Sequence, residues 1–83
     1  MSTNNSGHLL PYMATFVRVV EAGSFSAAAR QQGSTASAVS RQIAHLEQAL
    51  GLRLLERTTR RLRLSEAGAE VFARCREMLG AAQ

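Results

Sequence analysis

The sequence predicts a mainly α-helical fold, in which three helices form a core, a small β-hairpin follows, and a longer helix ends the chain. Apolar residues recur at three- and four-residue steps, and glycines and helix-capping residues divide these segments. Between residues 52 and 64 the spacing changes towards two, as in strands. With 83 residues, 46% of them hydrophobic, the chain is long enough for one small domain.

The first helix is predicted to follow a disordered tail. Residues 1–8 are polar and lack a periodic apolar pattern, so little offsets the entropy of ordering them. The apolar residues that follow have the spacing of one helical face: Leu9, Met13, Phe16, Val17 and Val20. Because proline is tolerated only in the first turn of a helix, Pro11 predicts a start at Leu9 or Leu10. The helix is expected to end at Gly23.

The next segment has the order of a helix-turn-helix. Ser24 is a predicted N-cap for a short, Ala-rich helix that Gly33 closes. Thr35 is a second predicted cap, and it begins a longer helix that ends at Leu50. The predicted buried stripe of this longer helix is Val39, Ile43, Leu46 and Leu50. Only three or four residues separate the two helices, and Gly33 permits the left-handed backbone that a sharp turn requires.

A hairpin and a last helix complete the prediction. Leucine and arginine alternate at positions 52–54 and again at 62–64, with a basic turn, Arg57 to Arg61, between them. Residues 9–64 are therefore predicted to form a winged helix-turn-helix. Ser65 begins a linker helix, residues 65–83, with an apolar stripe that has no predicted partner in this chain and so favours pairing with a second chain. The stripe consists of Val71, Phe72, Cys75, Met78 and Leu79.

The charges favour a polyanionic partner. All ten basic residues are arginine, all six acidic residues are glutamate, and the net charge is +4. Five arginines lie between residues 53 and 63, where Glu56 is the only acidic residue. Arginine is suited to forked contacts with phosphate or guanine. An arginine-rich solvated surface is the alternative interpretation of this charge.

The face of the longer helix opposite its buried stripe is the predicted contact surface for double-stranded DNA. It carries short side chains and one arginine: Ala36, Ser37, Ser40, Arg41 and Ala44. Little bulk permits entry into the major groove, where Arg41 can contact guanine or phosphate and the serines can donate to either. Alternatively, Thr35 and Ser37 only cap the helix, and Ser40 and Arg41 lie in water.

Two further groups complete the predicted DNA contacts. Ser24 and Ser26 begin the second helix, where hydroxyl and backbone N–H groups can bind phosphate, although capping explains Ser24 equally well. A basic hairpin tip beside the reading helix can enter the minor groove, although such tips are often only solvated. The full predicted set is Ser24, Ser26, Thr35, Ala36, Ser37, Ser40, Arg41, Arg57, Arg60 and Arg61.

Other classes of site find no support in the sequence. Cys75 is the only cysteine, and no cluster has metal-ligand spacing, so we expect no disulfide, metal or cofactor. Cys75 is predicted to be a small hydrophobe at a dimer seam rather than a redox switch. No constellation of catalytic residues is present, so no enzyme is expected. The polar N-terminus and the absence of a long apolar segment predict a cytoplasmic protein that is not in a membrane.

Three ordered sets of residues identify a family resemblance. They are Phe16-x-x-Val19-x-x-x-Gly23-Ser24-Phe25-Ser26-x-Ala28-Ala29, then Ser37-Ala38-Val39-Ser40-Arg41-Gln42-Ile43-x-x-Leu46-Glu47-x-x-Leu50-Gly51, then Leu54-Leu55-x-Arg57 and Leu64-Ser65-x-Ala67-Gly68. This pattern resembles the N-terminal domain of LysR-type transcriptional regulators, and the likeness covers almost all of residues 9–83. The chain departs from the family pattern at Ala36, where Gln is frequent, and at Gln32 and Ser34, where apolar residues are usual.

The resemblance implies a sequence-specific operator-binding domain that acts as a homodimer, with a tetramer as the alternative for the full-length protein. It also implies that the linker helix is cut short here. A small-molecule effector would act only through a C-terminal domain outside this chain. The alternative function is a winged-helix module that binds protein through the stripe in residues 71–79 and binds no nucleic acid.

Overall fold

The structure, a computed structural model, describes residues 5–57 and 62–80. In chain order these residues form α1 (Asn5–Ala22), α2 (Phe25–Gln32), α3 (Ala36–Leu50), β1 (Leu55–Arg57), β2 (Leu62–Leu64) and α4 (Glu66–Gly80). The predicted order of three helices, a hairpin and a last helix is confirmed. None of the helices in these two ranges combines the length and apolar character that crossing a membrane would need.

Helix α1 begins earlier than the sequence predicted. It starts at Asn5, so Pro11 lies in its second turn rather than its first. The predicted start at Leu9 or Leu10 is therefore wrong, and the predicted tail is wrong for residues 5–8, while residues 1–4 lie outside the described part. A tertiary contact explains the difference, because the ring of His8 lies near the ring of His45 on α3, with centroids 6.4 Å apart.

The core is formed by residues of all four helices together with Leu54 and Leu55 at the start of the hairpin. Phe16 and Val19 of α1 are fully buried, and so are three of the four residues in the predicted buried stripe of α3, Val39, Ile43 and Leu46. The fourth, Leu50, is only half-buried. Ala28 and Ala29 are the buried residues of α2, and their small side chains let its axis approach the neighbouring helices closely. The core thus fixes which side of α3 remains exposed.

The turn between α2 and α3 has the backbone that the sequence predicted. Gly33 has φ 68° and ψ 41°, a left-handed conformation that a residue with a side chain rarely adopts. The N–H of Gly33 donates to the carbonyl of Arg30 at 3.3 Å, and that of Ser34 donates to the carbonyl of Ala29 at 2.9 Å. These bonds occupy carbonyls at the end of α2 and direct the chain into α3.

The hairpin is present, but its first strand lies further along the chain than predicted. Strand β1 begins at Leu55 and pairs antiparallel with β2, placing Leu55 opposite Leu64 and Arg57 opposite Leu62. The predicted strand at residues 52–54 is wrong, because Leu54 and Leu55 are both buried while Leu52 is 41% exposed. Alternation does not hold where the chain leaves α3, since consecutive residues there enter the core.

Helix α4 also differs from its prediction, because part of its apolar stripe does have a partner in the chain. Phe72 meets Phe16 of α1 edge to face, with ring centroids 6.2 Å apart, and Cys75 is only 3% exposed. The prediction that the whole stripe lacks a partner is therefore wrong. Met78 is 52% exposed, and it is the large apolar residue that α4 leaves most open to solvent.

Candidate nucleic-acid interface

Two predicted contact residues act as helix caps. The Ser24 hydroxyl accepts a hydrogen bond from the N–H of Ala27 at 3.0 Å, and the Thr35 hydroxyl accepts from the N–H of Ala38 at 3.1 Å. Both residues are exposed, as is Ser26 in the first turn of α2. Because a hydroxyl that accepts a bond keeps its own proton, each cap can still donate to a ligand oxygen.

The exposed side of α3, which we call the α3 face, consists of Ala36, Ser37, Ser40, Arg41 and Ala44. Ser37, Arg41 and Ala44 are exposed, and Ala36 and Ser40 are half-buried. Among the described residues, Arg41 forms no ion pair or hydrogen bond, so its guanidinium can contact a ligand without breaking an existing interaction. The side chains of this face are short except for Arg41, whose guanidinium is its strongest hydrogen-bond donor.

The segment of sequence that contains the α3 face carries no carboxylate. No Asp or Glu occurs between residues 22 and 46, which include all of α2 and most of α3. The two ion pairs within residues 5–57 and 62–80 involve α4, where Arg76 lies 3.6 Å from Glu21 and Arg74 lies 3.9 Å from Glu70. An anion that approaches α2 and this part of α3 therefore meets no like charge from them.

The hairpin, which follows α3 in the chain, carries positive charge of its own. Arg53 and Arg63 are exposed, and Arg63 lies opposite Glu56 across the two strands. Arg57 is the last residue of β1. The predicted contacts Arg60 and Arg61 lie outside the described residues, so their role at the hairpin tip stays a prediction.

Glu47 joins the hairpin to α3, a role that sequence reasoning missed. One of its carboxylate oxygens accepts the N–H of Leu54 at 2.8 Å and the N–H of Leu55 at 3.1 Å. Its backbone carbonyl also accepts the N–H of Gly51, which ends α3. The sequence offered a small signal, because Glu47 is the only acidic residue of α3, but its donors lie seven and eight residues further along the chain.

Replacing Glu47 with glutamine should lower the free energy of unfolding by about 1 kcal/mol, because an amide oxygen accepts more weakly than a carboxylate. Urea unfolding of the variant would measure the change. The matched control is Glu77→Gln, which removes the same charge from an exposed position on α4 and should change stability by less than about 0.5 kcal/mol. Equal effects in the two variants would mean that Glu47 acts only through net charge.

A buried polar cluster, which no local pattern in the sequence indicates, connects the three helices. The hydroxyl of Thr15, which is 3% exposed, lies 2.9 Å from Oε1 of Gln32 and 2.8 Å from Oε1 of Gln42. Arg18 donates to the same Gln32 oxygen at 3.0 Å. These contacts connect α1, α2 and α3 and give the side chain of Gln32 polar partners. Separations of 17 and 27 residues hid them from any local pattern.

Cys75 does not resemble a reactive site. It is a free, buried thiol on the α1 side of α4, and burial raises its pKa above the ordinary value. A raised pKa disfavours the reactive thiolate. Its position inside the core does not match the predicted dimer seam. Among the described residues, no group of three or more His, Cys, Asp or Glu could hold a metal ion.

Comparison with known proteins gives a consistent result. Residues 10–69 match the family described as "Bacterial regulatory helix-turn-helix protein, lysR family". The chain is 54% identical over 76 residues to the probable HTH-type transcriptional regulator LtrA of Klebsiella pneumoniae, covering 92% of this chain and 25% of that protein. It is 46% identical over 70 residues to the HTH-type transcriptional activator AaeR of Escherichia coli K12, covering 84% of this chain and 23% of that protein. The chain thus spans about a quarter of these relatives.

Solved structures agree in fold. The BenM_DBD/benA site 1 DNA complex has a TM-score of 0.83 and 34% identity, covering 88% of this chain and 82% of that one. The CbnR_DBD-DNA complex has a TM-score of 0.81 and 34% identity, covering 88% of this chain and 84% of that one. With the family match over residues 10–69, the capped helix-turn-helix and the hairpin that follows it, this chain belongs to the LysR family of bacterial regulatory helix-turn-helix proteins.

Proposed function

We propose that this chain is a domain that binds double-stranded operator DNA as a homodimer, with α3 in the major groove and the hairpin tip in the minor groove. The observation that carries the proposal is the α3 face, where small side chains surround an unpaired Arg41 in a region without carboxylates. The similar BenM and CbnR domains, whose structures are complexes with DNA, support the same function.

Base recognition is assigned to the first turns of α3. The major groove admits an α-helix only where side chains on the approaching face are short, and residues near its N-terminus reach the base edges. Arg41 can donate two parallel bonds to O6 and N7 of guanine, and Ser37 and Ser40 can donate to bases or phosphates. Ala36 offers no such bond, so we expect a weaker base preference at the position it faces than in relatives with Gln there.

Phosphate contacts are assigned to α2 and the hairpin. Ser24 and Ser26 present hydroxyls at the start of α2, where the helix dipole also favours a negative group. Arg57, Arg60 and Arg61 would place positive charge at the minor groove beside α3. Phosphate contacts set orientation, while the α3 face reads sequence.

The dimer contact is assigned to the outer side of α4. Met78 is its most exposed large apolar residue, while Val71, Phe72 and Leu79 are half-buried and keep part of their surface open. Pairing through this side would place two α3 helices about one or more turns of DNA apart, at multiples of about 34 Å. An effector would act through a domain outside this chain.

The test is to select bound sites from a random DNA pool and then to measure affinity for the selected site by filter binding over a salt series. We expect a site with two related halves, and an affinity that falls by about a thousandfold between about 50 and about 200 mM salt, as for several phosphate contacts. A dimeric sample that binds no DNA at low salt would contradict the proposal and favour the protein-binding module.

A further inference from the structure

Three side-chain rings meet beside the α3 face, and none of the contacts assigned above uses them. Tyr12 of α1 and His45 of α3 have ring centroids 4.6 Å apart. His8, one turn before Tyr12, has its ring 6.3 Å from that of Tyr12 and 6.4 Å from that of His45. We call His8, Tyr12 and His45 the ring cluster. It brings the N-terminal half of α1 against the side of α3.

Two members of the ring cluster, Tyr12 and His45, border the same shallow depression as Arg41. This depression has a volume of about 440 Å³ and is lined by Tyr12, Ala38, Arg41, Gln42 and His45. His45 lies one helical turn after Arg41, so the two side chains are neighbours along α3. No carboxylate is among these lining residues, and the Arg41 guanidinium is their only fixed charge.

The cluster holds hydrogen-bond donors that have no partner in the described part of the chain. His8 and His45 are exposed, and Tyr12 is half-buried. The Tyr12 hydroxyl has no hydrogen-bond partner in the described part of the chain, and no buried polar side-chain atom there lacks a partner, so this hydroxyl reaches the surface. A phenol and a neutral imidazole each donate one hydrogen bond, the kind that a phosphate oxygen accepts.

We propose that the ring cluster binds a backbone phosphate of the DNA strand that borders the major groove occupied by α3. This inference rests on the proposed function. A helix in the major groove has a sugar-phosphate strand on each side, and Tyr12 and His45 of the cluster lie next to Arg41 on the side of α3 that meets α1. The contact is independent of sequence, so Tyr12 and His45 would add affinity for any duplex and hold α3 in the groove without taking part in the choice of bases.

The first experiment uses Tyr12→Phe and His45→Phe, which keep a ring at each position but remove the donor. Affinity is measured by fluorescence anisotropy for the selected operator and for a random duplex. We expect each variant to bind both duplexes about fivefold more weakly, the effect of one ordinary hydrogen bond, with the ratio of the two affinities unchanged. The control is Gln48→Ala, exposed on the last turn of α3, which should leave both affinities unchanged.

A second experiment locates the phosphate. Each phosphate beside the operator is replaced in turn by an uncharged methylphosphonate, and binding by the original chain and by Tyr12→Phe is compared. At one position the replacement should weaken the original chain but weaken Tyr12→Phe about fivefold less, because that variant has already lost the contact. Additive effects at every position would overturn the inference.

The outcomes separate this inference from the proposed function. If the original chain binds the operator and both phenylalanine variants bind it equally well, the rings only pack α1 on α3 and the inference is wrong. A loss confined to the operator would indicate a base contact and would also overturn the phosphate assignment. If the original chain binds no DNA at low salt, the proposed function itself fails. Thermal unfolding of the variants shows whether a loss of affinity comes from a loss of fold.

Discussion

Gly68→Ala should destabilise the protein by about 3 kcal/mol, although it adds only a methyl group and alanine is the better helix former. A Cβ atom at position 68 would lie 2.0 Å from the carbonyl oxygen of Leu54 and 2.8 Å from its carbonyl carbon. Both are backbone atoms, so no side-chain rotation relieves the overlap. The start of α4 would have to move away from the segment that leads into the hairpin.

This movement would break other contacts at the same place. The Ser65 N–H donates to the carbonyl of Leu54 at 2.9 Å, and the Ser65 hydroxyl accepts the N–H of Gly68 at 2.8 Å. Urea unfolding measures the loss. The matched control is Gly80→Ala in the same helix, where an added Cβ meets nothing within 4 Å, and it should change stability by less than about 0.5 kcal/mol. Equal stability of the two variants would show that the backbone of Leu54 does not exclude a side chain at position 68.

Arg41→Ala should weaken binding to the selected operator by about 10- to 100-fold, the range for loss of a bidentate contact to guanine. Arg41 is exposed and unpaired in the described part of the chain, so its removal should leave the fold intact. Affinity for random DNA reports which contact it makes. A base contact predicts a loss mainly on the operator, and a phosphate contact predicts similar losses on both.

Two variants serve as controls for Arg41. Arg41→Lys keeps the charge but not the planar fork, so it should restore a phosphate contact much better than a guanine contact. Arg74→Ala removes the same charge from α4, where the side chain is 76% exposed and its only described ion pair is with Glu70. It should change operator affinity by less than about threefold, since exposed ion pairs contribute little and the site is remote in sequence. Unchanged operator affinity in Arg41→Ala would remove Arg41 from the interface.

The helix-turn-helix could be predicted because its signals are local. The caps Ser24 and Thr35 lie within three residues of the N–H groups that they accept, and Gly33 takes the left-handed backbone that only its own lack of a side chain permits. The buried stripe of α3 follows from helical periodicity alone, and so does its opposite face. For the same reason, the exposed position of Ser37 and Arg41 was available from the sequence.

Other features of the fold depend on contacts between residues that are distant in the chain, and local sequence patterns did not predict them. Helix α1 begins before Pro11, and the extra turn brings the ring of His8 beside that of His45 on α3, a contact between distant positions that the local pattern could not indicate. The partner of Phe72 is Phe16, 56 positions earlier in the chain (72 − 16), so the stripe on α4 looked free in the sequence. Strand β1 begins later than the alternation predicted, where Leu54 and Leu55 enter the core and donate their N–H groups to the carboxylate of Glu47.

Local sequence established the order of the elements, the caps, the turn and the exposed face of α3, because each depends on residues within a few positions of one another. Long-range packing established how α1 and α4 cover the core, how the hairpin is tied to α3, and which polar and aromatic side chains meet beside Arg41. These arrangements come from side chains that are distant along the chain and must share one small core. Their pairing is set by volume, hydrogen-bond geometry and burial rather than by spacing.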